Sequence, residues 1–379
     1  MSADRRTFLA AGAAALLTAA GPARPSGRDM LVVNALGGLD DPNLWPEDMS
    51  GAGVGGIVRG PLAPRILADA HASGMNAVNV TLGYVAGPME PFEHTIADIA
   101  AWEARLRIHS RDLLKVLTVA DILRAKRERR IGIIYGVQNA AMLGDKAERA
   151  DLFADLGLRI VQLTYNPANA LGDGSMAPGN RGLTPFGHEG VARLNANRLM
   201  VDLSHSGERT CLDAARASSQ PISINHTGCR ALVDLPRNKS DEELRLVASR
   251  GGFVGIYFMP FLNRTSVASA EDVVAHIDHA VRICGEDHVG IGTDGGTTGV
   301  DDMAAYRGHV AKQVADRRKA GIGAAGENPD TLPFVADLQG PGQFRRLADL
   351  LRRKGYGERR IEKIMGLNFL AFAREVWGA

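Results

Sequence analysis

Cysteine is scarce in this chain, with three in 379 residues: Cys211, Cys229 and Cys284. None falls in a Cys-x-x-Cys pair, and so low and odd a count excludes a disulfide framework and a thiolate zinc cluster. Aromatic residues make up 5%, too few for a surface that stacks single-stranded bases. Neither sign of charge dominates, with 44 Lys and Arg against 43 Asp and Glu and a net charge of +1. That balance argues against a nucleic acid or an anionic membrane as partner. No apolar run is long enough to remain in a bilayer as a spanning helix. Internal repeats are absent too.

What remains is an ordinary globular composition, 45% hydrophobic and 23% charged, ample for a full core. The amino terminus stands apart. Asp4-Arg5-Arg6-Thr7-Phe8-Leu9 is a twin-arginine pattern, followed by an apolar run to Ala20 and then Pro22 and Pro25. Residues 1–23 are expected to be a leader recognised by the twin-arginine export machinery and removed, with the mature protein in the periplasm and without a membrane anchor. Residues 30–379 are expected to form a single domain.

Over that stretch, short apolar runs alternate with amphipathic ones. The expected strands are Leu31–Leu36, Ala77–Leu82, Ile131–Val137, Leu158–Thr164, Leu199–Leu203, Ile222–Asn225, Phe253–Phe258 and Val289–Gly292. They are rich in Val, Ile and Leu and lack a two-residue polar rhythm, as strands buried on both faces of a parallel sheet do. Expected helices include Pro64–Ser73, Thr118–Arg129, Lys146–Leu156, Gly187–Asn197, Glu208–Ala217, Asp241–Ser249 and Ser269–Cys284. Eight strands alternating with helices specify an α/β fold, the (β/α)₈ TIM barrel. The competing open, doubly wound sheet would carry a Gly-rich phosphate turn after its first strand, and none is there. The Gly- and Pro-rich stretch 40–60 is expected to be a loop or hairpin. Asn166–Pro185 is long and polar and reads as a lid or binding loop on the catalytic face. Two helices are expected around Gly355-Tyr356-Gly357, closing the barrel or packing beneath it.

The chemistry-bearing residues gather at strand ends. VDLSHS (Val201–Ser206) and SINHTG (Ser223–Gly228) each place a histidine there, His205 and His226. Neutral imidazoles at a barrel mouth suit zinc or another divalent metal, though a core or capping role is the plainer alternative. The other histidines are assigned to the surface. Asp294, in GIGTDGG, is placed to shuttle a proton or, alternatively, to cap the next helix. Gln138 ends a strand and offers an amide oxygen as a weak metal ligand. Arg237 is either a clamp for a substrate carboxylate or a solvated side chain. Tyr165 and Asn166 are either donors to a developing oxyanion or rim packing. Cys211 and Cys284 fall in helices as buried thiols; Cys229, three residues past His226, has a nucleophilic alternative.

These motifs resemble the renal (membrane) dipeptidase family of metallo-dependent hydrolases across nearly the whole mature chain. The resemblance is carried by GVQN at Gly136–Asn139, RIVQLTYN at Arg159–Asn166, GLTPFG at Gly182–Gly187, VDLSHS, the Asn225-His226 pair, PRNKSDE at Pro236–Glu242 and HVGIGTD at His288–Asp294. It implies a (β/α)₈ barrel related to amidohydrolases, hydrolysis of dipeptides, a two-zinc site and often a homodimer. Under it, His205 and His226 match the histidines of one zinc, Asp294 the acid/base and Arg237 the carboxylate grip. The family's His-x-Asp on the first strand is Leu36 and Gly38 here. Its bridging Glu is Gln138, and its His after the Leu158–Thr164 strand is Tyr165. The implied site is reduced to one metal, with Asp40 and Asp41 as remote substitutes. Three readings follow: a one-metal hydrolase of a small dipeptide-like substrate, a metal-independent acid/base enzyme such as an isomerase or tautomerase, and a non-catalytic binder of a small ligand.

Overall fold

The computed structural model describes residues 30–44, 57, 59–319, 321 and 323–378. The expected export leader and most of the stretch after Asp40 lie outside the described residues.

The strands are β1 (Val33–Gly37), β2 (Ala77–Leu82), β3 (Leu113–Lys115), β4 (Ile131–Val137), β5 (Leu158–Gln162), β6 (Met200–Asp202), β7 (Ser223–Thr227), β8 (Phe253–Ile256) and β9 (Val289–Ile291). Every ladder is parallel, in the order β1-β2-β4-β5-β6-β7-β8-β9. The eight strands of this path are the expected ones. The addition is β3, three residues that pair with the lower half of one edge of β4, below β5. The sheet curls into a nearly closed barrel. Its seam, between β1 and β9, is joined by side chains as well as backbone. Asn34 Nδ2 donates to Thr293 Oγ1 at 2.8 Å, the Thr293 N–H donates to Asn34 Oδ1 at 2.8 Å, and the Asp294 N–H donates to Leu36 O at 3.0 Å.

Helices form the outer ring: α1 (Pro64–Ser73), α2 (Pro91–Ile108), α3 (Val119–Glu128), α4 (Arg149–Asp155), α5 (Pro185–Ala196), α6 (Glu208–Ala217), α7 (Asp241–Ser249) and α8 (Ala270–Cys284). Their starts are written locally. Thr118, Ser240 and Ser269 each accept from the N–H three residues on, and Asp121, Glu243 and Asp272 return the bond. Such capping boxes satisfy otherwise orphaned N–H groups. Past β9 come α9 (Met303–Lys319), α10 (Gln343–Arg353), α11 (Glu358–Glu362) and α12 (Asn368–Trp377), the last two joined by one π turn over Lys363–Leu367. Phe369, Phe372 and Val376 of α12 pack in one cluster with Leu31, just before β1, and with Val33, Met200 and Phe253, the first residues of β1, β6 and β8. The carboxy-terminal helix therefore packs beneath the barrel and leaves the opposite, C-terminal ends of the strands open for a site.

Candidate active site at the barrel mouth

At that open end lies a cavity of about 290 Å³, lined among others by Gln138, Tyr165, Asn166, His205, Arg237 and Asp294. Six of the seven residues singled out in the sequence thus share one space. The seventh, His226, sits in β7 and is fully buried, with its ring centroid 5.0 Å from that of His205.

The turn that follows β6 is held from several sides. Asp202 Oδ1 accepts from the N–H groups of Ser204 and Asn225, both at 3.0 Å, and the His226 N–H donates to Ser204 Oγ at 3.0 Å. Asp202, which sequence reasoning passed over, is thus the post to which both histidine-bearing segments are tied. Glycines make the close approach possible, because a Cβ at Gly255 or Gly292 would meet the Asn225 carbonyl oxygen at 2.0 Å.

His205 donates from Nδ1 to Asn166 Oδ1 at 2.7 Å, and Tyr165 stacks on its ring at 4.3 Å between centroids. That bond fixes the tautomer and leaves the lone pair on Nε2. His205 Nε2 and both ring nitrogens of His226 are buried without a hydrogen-bond partner. Burial first, then the nearby Arg237 guanidinium, hold both histidines well below the ordinary imidazole range. Both rings are therefore neutral near pH 7, the state in which imidazole binds a metal.

Asp294 is partly buried at a backbone φ of 58°, in the left-handed region that Asp tolerates better than most residues. It caps no helix; Asp302 does so for α9, accepting from the N–H groups of Ala304 and Ala305 at 3.0 Å. Burial raises its carboxyl to about 6, against an opposing pull from Arg237 and Arg317. A carboxyl near 6 can both take and return a proton close to neutrality. Its ionisation also works against the fold. With a free value of 3.8, the cost is absent below about pH 4 and complete above about pH 6. Asp294→Asn is accordingly expected to raise the melting temperature near pH 7.5, with a gain that vanishes by about pH 4. A pH series by scanning fluorimetry checks this; an equal shift at both ends would remove Asp294 as the source.

Arg237 is 2% exposed, which rules out the solvated alternative. Its Nη1 donates to Ser204 O, and its guanidinium lies 5.8 Å from the Tyr257 ring centroid. Among the described residues no ion pair holds it. Gln138 donates from Nε2 to Thr81 Oγ1 at 2.8 Å, so its amide is anchored on β2.

Three expectations need correction. Asn166–Pro185 is not the lid, since beyond Asn166 none of it lines the cavity. It braces the histidine turn instead: Ser175 N–H donates to His205 O at 2.7 Å and Gly207 N–H to Asp173 O at 2.9 Å. The cover comes from α9 and the segment after it, through Val310, Val314, Arg317, Glu327, Thr331 and their neighbours. Arg317 donates from Nη2 to Tyr165 OH at 3.3 Å and pairs with Glu327 Oε1 at 3.0 Å, latching cover to barrel. No local motif marks these positions, which lie far along the chain from the strand ends they meet. Second, His276 is not a surface residue. It is 1% exposed and joins the Cys229 N–H to Leu262 O. Third, Cys229 is no nucleophile. It is fully buried with its thiol pushed up, and it does not line the cavity.

The metal expectation meets a mixed set of donors. Among the described residues no three His, Cys, Asp or Glu side chains gather closely enough to hold an ion. Leu36 is buried, and neither it, Gly38, Asp40 nor Asp41 lines the cavity. Among the described residues no donor set fits two ions. The two neutral imidazoles with unpartnered nitrogens fit one ion with open positions.

The membrane dipeptidase model, Peptidase family M19, matches residues 71–320. The chain belongs to the membrane dipeptidase family. That family is one of metallopeptidases, and it supports a dipeptidase-type hydrolase. A solved amidohydrolase from Pseudomonas aeruginosa is 30% identical with a TM-score of 0.74, covering 93% of this chain and 98% of that one. An uncharacterised Klebsiella pneumoniae protein in the pqqA 5′ region is 28% identical over 285 residues, 72% of this chain and 93% of that protein. Dipeptidase tcpJ of Claviceps purpurea is 28% identical over 260 residues, 68% of this chain but 53% of that protein. A metallo peptidase from Rhodobacter sphaeroides, liganded with a phosphinate mimic of the dipeptide L-Ala-D-Ala, shares the fold at 20% identity and a TM-score of 0.70, covering 92% of this chain and 99% of that one.

Proposed function

We propose that this dipeptidase-family protein hydrolyses an amide bond in a small, carboxylate-bearing, dipeptide-like substrate, using one divalent ion, zinc or a similar metal, held by His205 and His226. The observation that carries the proposal is the set of three buried imidazole nitrogens without a protein partner. An unsatisfied buried polar group costs about 1–3 kcal/mol, and a bound cation removes that cost at one nitrogen of each ring, leaving the other His226 nitrogen with its N–H. When bound, the ion supplies a Lewis acid and lowers the pKa of a coordinated water.

The chain's own residues do the rest. Arg237 holds the substrate carboxylate, its planar fork matching two oxygens at once. Asn166 fixes the His205 ring and keeps its lone pair on Nε2. Asp294 takes a proton on the way in and returns it to the departing amine. Tyr165 accepts from Arg317, so its own O–H proton is free to point at the oxygen that gains charge.

A second reading has one observation in its favour, the absence of a third ligand among the described residues. In it Asp294 and Tyr165 do acid/base chemistry without a metal. Elemental mass spectrometry on protein purified without chelators separates the two. About one ion per chain, with amide turnover that chelation removes, is the expected result. Metal-free protein after soaking in zinc, manganese and iron would sink the metal proposal in favour of the second reading.

A further inference from the structure

The turn Ser204-His205-Ser206 is gripped by two cations of one loop, on either side of the histidine. Arg237 Nη1 donates to Ser204 O, and Lys239 Nζ donates to Ser206 O. Between them the Ser175 N–H donates to His205 O at 2.7 Å. Arg237 faces the cavity, but Lys239 is fully buried and does not line it. The proposed reaction therefore leaves this lysine without a task. Its charge is met by Glu243, also fully buried, with Nζ 3.2 Å from Oε1. The second carboxylate oxygen, Oε2, accepts from the Ser240 N–H at 2.8 Å and lies 3.7 Å from Arg230 Nη2. Arg230 Nη1 in turn pairs with Glu208 Oε2 at 2.9 Å, at the start of α6. A buried ion pair is a poor source of stability, because desolvation offsets its attraction, and neutral side chains of similar volume often serve as well. What this pair provides is geometry: a strut from the first turn of α7, through Glu243 and Lys239, to the carbonyl that follows His205.

We propose that Lys239, held by Glu243, is a positioning residue that sets the Ser204–Ser206 turn and, through it, the aim of His205 Nε2 at the ion. The inference rests on the metal reading above and adds a residue that touches neither ion nor substrate. Asn166 and Tyr165 set the His205 ring; Lys239 sets the backbone that carries it. A functional side chain has to be held within about 0.5 Å of its productive place. Loss of a group that supports a metal ligand typically costs 10–100-fold in metal affinity.

The test compares two variants of the full chain with wild type, by zinc affinity in competition with a chelator, by melting temperature of the metal-free protein and by crystal structure. Lys239→Met should weaken zinc binding about 10–100-fold and also lower the melting temperature, because it strips a buried carboxylate of its nearest cation. The double variant Lys239→Met/Glu243→Gln removes both charges, while glutamine keeps the capping bond to Ser240. It should melt close to wild type yet bind zinc as weakly as the single variant. In its metal-free crystals His205 Nε2 should stand more than about 0.5 Å from its wild-type place. Wild-type zinc affinity in the double variant would overturn the proposal, since charge imbalance alone would then explain the single variant. A double variant that melts well below wild type would make the pair a stability element and overturn it too, as would an unmoved His205. Wild-type protein that takes up no zinc sinks the metal reading instead, and the crystal comparison alone then decides whether Lys239 positions His205.

Discussion

His205→Ala is expected to strip the bound ion and lower amide turnover by at least about 10³-fold. His205 has two nitrogens with different duties: Nδ1 is held by Asn166 Oδ1 at 2.7 Å, and Nε2 has no partner. Alanine removes the ligand and frees its orienting amide together. With only two imidazoles in the donor set, losing one leaves a single protein ligand, too few to hold a dilute ion. The fold should survive, because the turn is also held through Asp202, Ser204 and the backbone of Ser175. Elemental analysis, turnover and circular dichroism on one preparation check all three statements. Unchanged metal content with unchanged turnover would end the case for this histidine.

The second large effect concerns Arg237. Arg237→Met keeps the bulk and removes the charge, and kcat/KM should fall about 10²–10³-fold, chiefly through KM, in line with about 2–5 kcal/mol for a truncated buried charge pair. Arg237→Lys should recover little, since an ammonium cannot reproduce the planar fork. Melting temperature should drop as well, because Ser204 O loses its buried donor. The decisive comparison uses a substrate and its carboxamide. Wild-type enzyme should favour the acid strongly and the Met variant should not. If both discriminate alike, Arg237 does not hold the carboxylate.

The barrel was readable because most of its eight main strands are short Val-, Ile- and Leu-rich runs buried on both faces, and residues such as Ile131, Ile133 and Ile134 are fully buried. The strand β3 escaped notice because Leu113–Lys115 is too short for periodicity to register. The floor of the site was equally plain, since His226 lies near the end of β7 and His205 and Asp294 come three residues after β6 and β9. Its cover was not. The outward face of α9 mixes alanines with charged residues and so lacks a clear amphipathic stripe, and its buried Tyr306, Val310 and Val314 form a small cluster separate from the main core. Arg317 and Glu327 gain meaning only once folding brings them over Tyr165. Long-range placement of this kind leaves no mark on local composition. The same holds for Asp202, whose role depends on a partner, Asn225, in the next strand.

The helix beneath the barrel bears on how the molecule is made. Leu31 and Val33 are among the first described residues, and they pack against Phe369, Phe372 and Val376, near the last. While a chain is still being synthesised, the lower ends of its strands face water and the β1–β9 seam lacks this support. Completion of the domain therefore waits for α12, and a copy that stops short of that helix is left with an open, apolar base. Quality control that recognises exposed apolar surface can tell finished copies from truncated ones without reference to the active site at all.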